Sequence, residues 1–194
     1  DADVVPVSLL ERLKKYFSME SVNPLDRILL EQRSVKSASE LALLIQAGEA
    51  HRRLLEDVVP TLLVEGISEA EFHGELLASM MKLGHQGLSR LNMFQAESIA
   101  GQLGFGDSSL FPTSFDGPGG MKGMSPASPG AGNRERRLEK GDLVFVDVCF
   151  GVDGYHTDKT QVYSFGKEPD GDVLKVHRAC LGIETRCGEL MAAG

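Results

Sequence analysis

Hydrophobic residues return at helical spacing in three stretches of the chain. The first opens with the capping-box pair Ser37 and Glu40, and its apolar residues then recur every three or four positions as far as Pro60. The second opens with the same residue types, Ser68 and Glu71. We predict two helices joined by a short linker, the first ending at Pro60, because proline has no N–H for a helix interior. A third helix is predicted after the turn "KEPDGD".

Two extended segments flank Asp153-Gly154, a dipeptide typical of tight hairpin turns. The first segment, residues 143–150, is apolar throughout except for Asp147. The second segment contains Asp158. We therefore predict a β-hairpin whose first strand carries a carboxylate in the middle of a buried run.

Residues 101–133 follow neither pattern, because glycine and proline are frequent there. Such a stretch cannot form a helix, and it is long for a plain connector. Two interpretations stay open at this point. The stretch is a functional loop or mobile lid, or it is a surface loop around one or two short strands.

The first 35 residues predict a short strand, "DVVPV", then a helix, "SLLERLKKYF", and then a connection that contains Asn23-Pro24. This part is too short to fold alone. After it the order is helix, helix, irregular strands, hairpin and helix. That order predicts an α+β fold in which helices cover one face of an antiparallel sheet.

Composition narrows the possible partners. The chain has 194 residues and a formal net charge of −8, which argues against a nucleic acid or an anionic membrane as partner. It has no apolar run of about 18 residues, so no membrane span is predicted. The three cysteines, Cys149, Cys180 and Cys187, form no CxxC pair. They predict reduced, partly buried thiols in a cytoplasmic protein.

The length of the hairpin loop decides whether Asp147 and Asp158 share a face. With a loop of two residues, Cys149 opposes Asp158 and Asp147 lies diagonal to it; with a loop of four, the two aspartates stand opposite one another. Both cases put the carboxylates on one face, whereas a three-residue loop or a bulge separates them.

Paired carboxylates on an apolar hairpin are costly, because each loses water and each raises the pKa of the other. A divalent cation such as Mn²⁺, Mg²⁺ or Co²⁺ removes the conflict. Two other readings stay open: a single buried carboxylate with a backbone or arginine partner, or an Asp158 that points to solvent.

The segment "GDLVFVD" followed by "GYHTDKT" resembles the first metal-ligand segment of the pita-bread metallopeptidases, the group of aminopeptidase P, prolidase, creatinase and methionine aminopeptidase. "RSVKSASELALLIQAG" is similar to the opening of the catalytic domain in the Xaa-Pro branch, and "DVVPVSLLERLKKYF" is similar to the tail of the smaller domain before it. "RLNMFQAES" and "GPGGMKGMSPASP" resemble a bacterial subgroup of that branch. The resemblance implies that residues 1–35 end an N-terminal domain and that residues 36–194 form the first half of a pita-bread domain, with helices on a curved antiparallel sheet.

The resemblance also implies a function. Asp147 and Asp158 would be the first two ligands of a dinuclear centre of divalent metal ions, manganese or cobalt, with the second aspartate bridging. The parent protein would be a metallopeptidase that hydrolyses Xaa-Pro bonds in peptides with proline at the second position. A homodimer in the cytoplasm is expected.

Three departures from the family pattern keep alternatives open. The remaining ligands of the family, a histidine and two glutamates, come from a second half beyond Gly194, so this chain by itself is expected to bind metal weakly or not at all. No histidine occurs between His85 and His156, where many members carry one that contacts substrate. Gln161 stands where an arginine is usual. The alternative function is a catalytically inactive pita-bread protein that binds peptides or proteins.

Overall fold

The computed structural model describes residues 5–91, 97–113, 117, 119–125, 127–128 and 130–191. Its helices and strands follow in chain order. They are α1 (Val7–Lys14), α2 (Asp26–Ser34), α3 (Ala38–Arg53), a π-helical turn (Leu54–Val58), α4 (Val59–Leu62), α5 (Glu69–Lys82), β1 (Ser89–Arg90), β2 (Glu97–Ser98), β3 (Gly101–Phe105), a 3₁₀ helix (Gly106–Leu110), β4 (Leu143–Val152), β5 (Tyr155–Ser164) and α6 (Gly171–Leu190).

Both predicted capping boxes are present. The Ser37 hydroxyl accepts from the Glu40 N–H while the Glu40 carboxylate accepts from the Ser37 N–H, and Ser68 and Glu71 do the same at the start of α5. Each box satisfies two backbone donors that a helix start leaves free. Local sequence therefore sets where α3 and α5 begin.

The helical run that starts with α3 does not end at Pro60, contrary to the prediction, but continues through the π-helical turn and α4 to Leu62. In the π-helical turn after α3, the N–H of Val59 bonds to the carbonyl of Leu54, five residues earlier. In the same pattern the N–H of residue 60 would donate to the carbonyl of Leu55, but residue 60 is proline, which has no N–H. The hydroxyl of Tyr163 donates to the Leu55 carbonyl oxygen at 2.7 Å instead. Because this hydrogen bond from the sheet replaces the missing backbone bond, the helix continues into α4.

The N-terminal part differs from its prediction in two ways. The strand predicted over "DVVPV" lies partly outside the described residues, and within them Val7 already belongs to α1, with Pro6 as its N-cap residue. Proline suits a helix start because it has no N–H to satisfy. Helix α2 was predicted as part of a connection. It buries no residue, and an ion pair between Arg27 and Glu31 at 2.8 Å lies along its surface.

The core lies between the sheet and the helices α3 to α5. The sheet is antiparallel, in the order β3-β4-β5, and α3 packs against β4 and β5. Even-numbered residues of β4 are buried on the helix side, and odd-numbered residues from 143 to 149 lie on the other face. The largest fully buried apolar side chains are Phe72, Phe105, Phe150, Leu54, Leu76, Met80, Leu138, Val59, Val144, Val146 and Val148. This arrangement confirms the predicted α+β class.

Glu69 ties the irregular segment to the helix layer. Its carboxylate is fully buried and accepts from the N–H of Phe105 at 2.8 Å and from the N–H of Asn133 at 3.0 Å. The described residues of 101–133 agree with the interpretation of a loop around one or two short strands. They contain strand β3 and a 3₁₀ helix, and their irregular described part borders a cavity.

Two of the three cysteines lie on the last helix and are not partly buried as predicted. None of the described residues of α6 is buried, and Cys180 and Cys187 on it are exposed, while Cys149 in β4 is half-buried. The periodic apolar residues of α6 therefore do not bury the two thiols against this chain. No helix in the described part of the chain is long and apolar enough to cross a bilayer.

Candidate metal centre

The β4–β5 hairpin has the two-residue loop that keeps both aspartates on one face. Val152 pairs with Tyr155, so the loop consists of Asp153 and Gly154, whose φ angles of 48° and 87° are typical of a tight hairpin turn. The pairing continues without a bulge to the far end of both strands. Cys149 therefore opposes Asp158, and Asp147 opposes Thr160.

Asp147 is held in the middle of the sheet. Its carboxylate is half-buried, and the Thr160 hydroxyl donates to its Oδ1 at 2.6 Å. Burial raises the pKa of Asp147, the hydrogen bond from Thr160 opposes that rise, and the negative charge of Asp158 adds to it. Without a cation the site thus disfavours two ionised carboxylates.

Asp158 is exposed at the rim of the same face and accepts a hydrogen bond from the Cys149 thiol at 3.3 Å. Burial raises the pKa of Cys149 to about 12, and the hydrogen bond and charge of Asp158 act in the same direction. Cys149 therefore stays a thiol near neutral pH and donates to the carboxylate. The alternative in which Asp158 points to solvent is therefore partly correct. Its side chain is exposed, but it also borders the cavity.

The face that carries the aspartates forms one wall of a cavity of about 910 Å³. Strands β3 to β5 supply polar side chains to it, and the irregular segment supplies apolar and glycine residues such as Met121, Met124 and Gly130. Gly101 permits the close approach of β3 to β4, because a Cβ there would overlap the carbonyl oxygen of Asp147. A volume in this range suits a small ligand or a short peptide.

Two residues that border the cavity escaped the sequence analysis. His73 lines the cavity, where its Nδ1 accepts from the N–H of Gly132 at 3.3 Å and burial lowers its pKa. Gln102 also lines the cavity and pairs with Asp147 across the β3–β4 register. No local pattern marks either residue, because distant contacts bring them to the site: the pairing of β3 with β4 places Gln102, and α5 places His73 against Gly132 of the irregular segment.

His156 and Gln161 lie away from the aspartates. His156 approaches Gln86, with 3.0 Å between the two Nε2 atoms, and does not line the cavity. Gln161 pairs with Val146, so it lies on the helix side of the sheet, opposite to the face of Asp158. The loss of the usual arginine at this position therefore changes the other face of the hairpin.

The donors in this chain fit part of a divalent metal site. Asp147 and Asp158 supply two hard oxygen donors on one face, and a cation would relieve the charge conflict that burial imposes on Asp147. Within the described ranges no group of three or more histidine, cysteine, aspartate or glutamate side chains is arranged to hold a metal ion. The pair is therefore a fraction of a coordination sphere.

Comparison with solved structures finds related folds. The dipeptidase PepE from Mycobacterium ulcerans is 27% identical over 88% of this chain and 38% of its own, with a TM-score of 0.61. An X-Pro aminopeptidase from Thermotoga maritima is 24% identical over 94% of this chain and 43% of its own, with a TM-score of 0.70. A prolidase from Pyrococcus horikoshii is 19% identical over 94% of this chain and 44% of its own, with a TM-score of 0.69.

These likenesses confirm the expected fold, the first part of a pita-bread architecture with helices on an antiparallel sheet. The chain spans roughly two-fifths of the length of each of the three proteins. A search of curated proteins finds no significant match to the sequence.

The family assignment rests on the sequence itself as well as on the fold. A family model matches residues 42–194, which include α5, the irregular segment, the complete sheet and both aspartates of the hairpin. That match covers most of the chain and agrees with the resemblance first seen around Asp147 and Asp158. The chain belongs to metallopeptidase family M24.

Proposed function

We propose that this chain supplies the first two ligands of a divalent metal centre that hydrolyses Xaa-Pro peptide bonds in the complete protein. The observation that carries the proposal is the pairing of Asp147 and Asp158 on one wall of the cavity, within a chain of family M24. Manganese or cobalt is the proposed metal, because carboxylate oxygens combined with nitrogen donors from elsewhere suit both.

The residues of this chain prepare the site. Thr160 fixes the orientation of the Asp147 carboxylate through its hydroxyl, and the Cys149 thiol does the same for Asp158. Both hydrogen bonds leave other lone pairs of the carboxylates free for a cation. A bound divalent ion supplies a Lewis acid for the peptide carbonyl and lowers the pKa of water at the site.

The cavity walls fit a short peptide better than a large polar ligand. Ile99, Met121 and Met124 offer apolar surface, and Gly130, beside which a side chain would meet only open space, lets a substrate backbone approach closely. The name of one related structure, a dipeptidase, supports a short peptide, and the names of the two others, an X-Pro aminopeptidase and a prolidase, support proline at its second position. The homodimer, the cytoplasmic location and the choice between the two metals stay predictions.

The alternative function is a peptide- or protein-binding module without catalysis. One observation favours it. Ser128, Gly130 and Ala131 line the cavity near the position where the family resemblance places a substrate-contacting histidine, and none of them can donate or accept a proton as histidine does. In this alternative the cavity binds peptide but breaks no bond.

Hydrolysis of Ala-Pro by the full-length protein in the presence of Mn²⁺ or Co²⁺ separates the two functions. We expect turnover that is lost in Asp158→Asn and retained in Asp153→Asn. Asp153 is the matched control, because it lies in the turn of the same hairpin at a positive φ that asparagine also tolerates. Metal bound in stoichiometric amount without any cleavage of Ala-Pro would refute the peptidase and leave the binding module.

A further inference from the structure

The side chain of Gln102 is buried in the cavity wall without a hydrogen-bond partner. The residue is 3% exposed, and both its Oε1 and its Nε2 are buried and unpartnered among the residues that the structure describes. A buried amide that is left unsatisfied destabilises a fold, so such groups normally have a partner. The position of Gln102 shows where that partner would lie.

Gln102 is on the cavity face of the sheet. It pairs with Asp147 between β3 and β4, and both residues line the cavity. The carboxylate of Asp147 already has the hydroxyl of Thr160 as a donor. Gln102 thus lies beside the two aspartates but outside their hydrogen bonds.

The buried polar side chains of Glu69 and Asn133 have hydrogen-bond partners of their own. Glu69 accepts from two backbone N–H groups, and Asn133 donates to the carbonyl of Gly123 at 2.8 Å and accepts from two further N–H groups. None of these hydrogen bonds includes Gln102. Among the described residues, no protein group competes with a molecule in the cavity for the amide of Gln102.

The chemistry of an amide limits what that molecule is. The Nε2 group needs an acceptor and Oε1 needs a donor, and the two atoms lie side by side. A phosphate or carboxylate ligand offers acceptors alone, and a metal ion satisfies only the oxygen. The first residue of a peptide offers a carbonyl oxygen and an amino N–H close together, which satisfies both.

We propose that Gln102 binds the first residue of the peptide substrate, with Nε2 donating to its carbonyl oxygen and Oε1 accepting from its amino group. This inference rests on the proposed peptidase function and deepens it. Gln102 would place the scissile carbonyl beside Asp147 and Asp158, since all three residues line the same cavity. It would be a substrate-binding residue that touches no metal ion.

The test is Gln102→Met, which keeps an unbranched side chain of similar length but removes both polar groups. In the full-length protein we expect KM for Ala-Pro to rise about tenfold or more, with a much smaller change in kcat. Mn²⁺ affinity, measured by calorimetry without peptide, should stay within about twofold of the wild type. The thermal midpoint should not fall, since removing an unsatisfied buried amide costs no hydrogen bond.

Gln161→Met is the matched control, because it is the same change on the opposite face of the sheet. It should leave KM for Ala-Pro unchanged. Gln102→Glu gives a second measurement if the methionine variant does not fold. Its carboxylate can accept from the amino group but cannot donate to the carbonyl, so KM should rise in this variant as well.

Each outcome decides between the two proposals. If the wild type cleaves Ala-Pro and both Gln102 variants keep its KM, the role of Gln102 is refuted while the peptidase function stands. If the wild type neither cleaves nor binds Ala-Pro, the peptidase function is refuted and the inference with it. A rise in KM for the Gln102 variants alone, with Mn²⁺ affinity retained, supports both.

Discussion

Because of His51, the free energy of unfolding of this chain should fall sharply as the pH is lowered from neutral to mildly acidic. The imidazole is 3% exposed, lies behind the sheet and stacks on Phe150 with 5.9 Å between ring centroids. Its Nδ1 is 3.0 Å from the Thr157 hydroxyl, which itself donates to the carbonyl of Phe150, so Nδ1 is the donor of the pair. Its Nε2 is buried without a partner in the described part of the chain. A proton added there would carry charge into an apolar site.

Burial accordingly lowers the pKa of His51 to about 4. The charge of Asp158 opposes this shift, whereas Lys159 and His85 act in the same direction as burial. In the unfolded chain the pKa of histidine is near 6.5. At pH values between these two pKa values, His51 is protonated in the unfolded state but not in the folded state. Lowering the pH through this range therefore favours unfolding.

The magnitude follows from the two pKa values. Between pH 7 and pH 5 the linkage amounts to about 2 kcal/mol, and it approaches about 3 kcal/mol as the pH nears 4. His51→Asn removes the titrating group and keeps an amide N–H near Nδ1 for Thr157. Urea unfolding at several pH values should therefore show a shallower acid loss in this variant than in the wild type, by about 2 kcal/mol at pH 5.

His177→Asn is the control, because His177 is exposed on α6. It should keep the acid dependence of the wild type. Equal acid dependence in His51→Asn and the wild type would refute the reasoning, since it would mean that the folded chain accepts a proton at His51 as readily as the unfolded chain does.

Two further substitutions test the contacts that hold the helices on the sheet. Tyr163→Phe removes the donor to the Leu55 carbonyl and should lower the free energy of unfolding by about 1 kcal/mol, whereas Tyr16→Phe, at an exposed tyrosine, should change it little. Glu69→Gln puts an N–H₂ group against one of two backbone donors and should cost about 2 kcal/mol, while Glu75→Gln, on the exposed side of the same helix, should not. Urea unfolding measures all four, and an unchanged stability in the first or third variant would contradict the assigned contact.

Sequence predicted the features that depend on near neighbours. The capping boxes fix the starts of α3 and α5, and Asp153-Gly154 predicted the hairpin. Of the loop lengths that the sequence left open, the structure has the two-residue loop, which puts Asp147 and Asp158 on one face. Those features need only backbone geometry over a few positions.

Sequence could not predict the features that depend on distant partners. The helical run that starts with α3 continues through the π-helical turn into α4, past Pro60, where the Tyr163 hydroxyl, more than a hundred residues later, donates to the free carbonyl of Leu55. Gln102 reaches the cavity through the pairing of β3 with β4, and His73 reaches it because α5 lies against the irregular segment at Gly132. No local pattern predicts either contact. Helix α2 buries no residue, so it has no apolar stripe facing a core to mark it.

The most direct test of the central claim is the binding of Mn²⁺ to this 194-residue chain, measured by calorimetry for the wild type and three variants. We predict weak binding, because two carboxylates make an incomplete coordination sphere. Asp147→Asn and Asp158→Asn should each weaken that binding at least about tenfold, whereas Asp153→Asn should not. Equal Mn²⁺ binding by all four proteins would contradict the assignment of Asp147 and Asp158 as metal ligands.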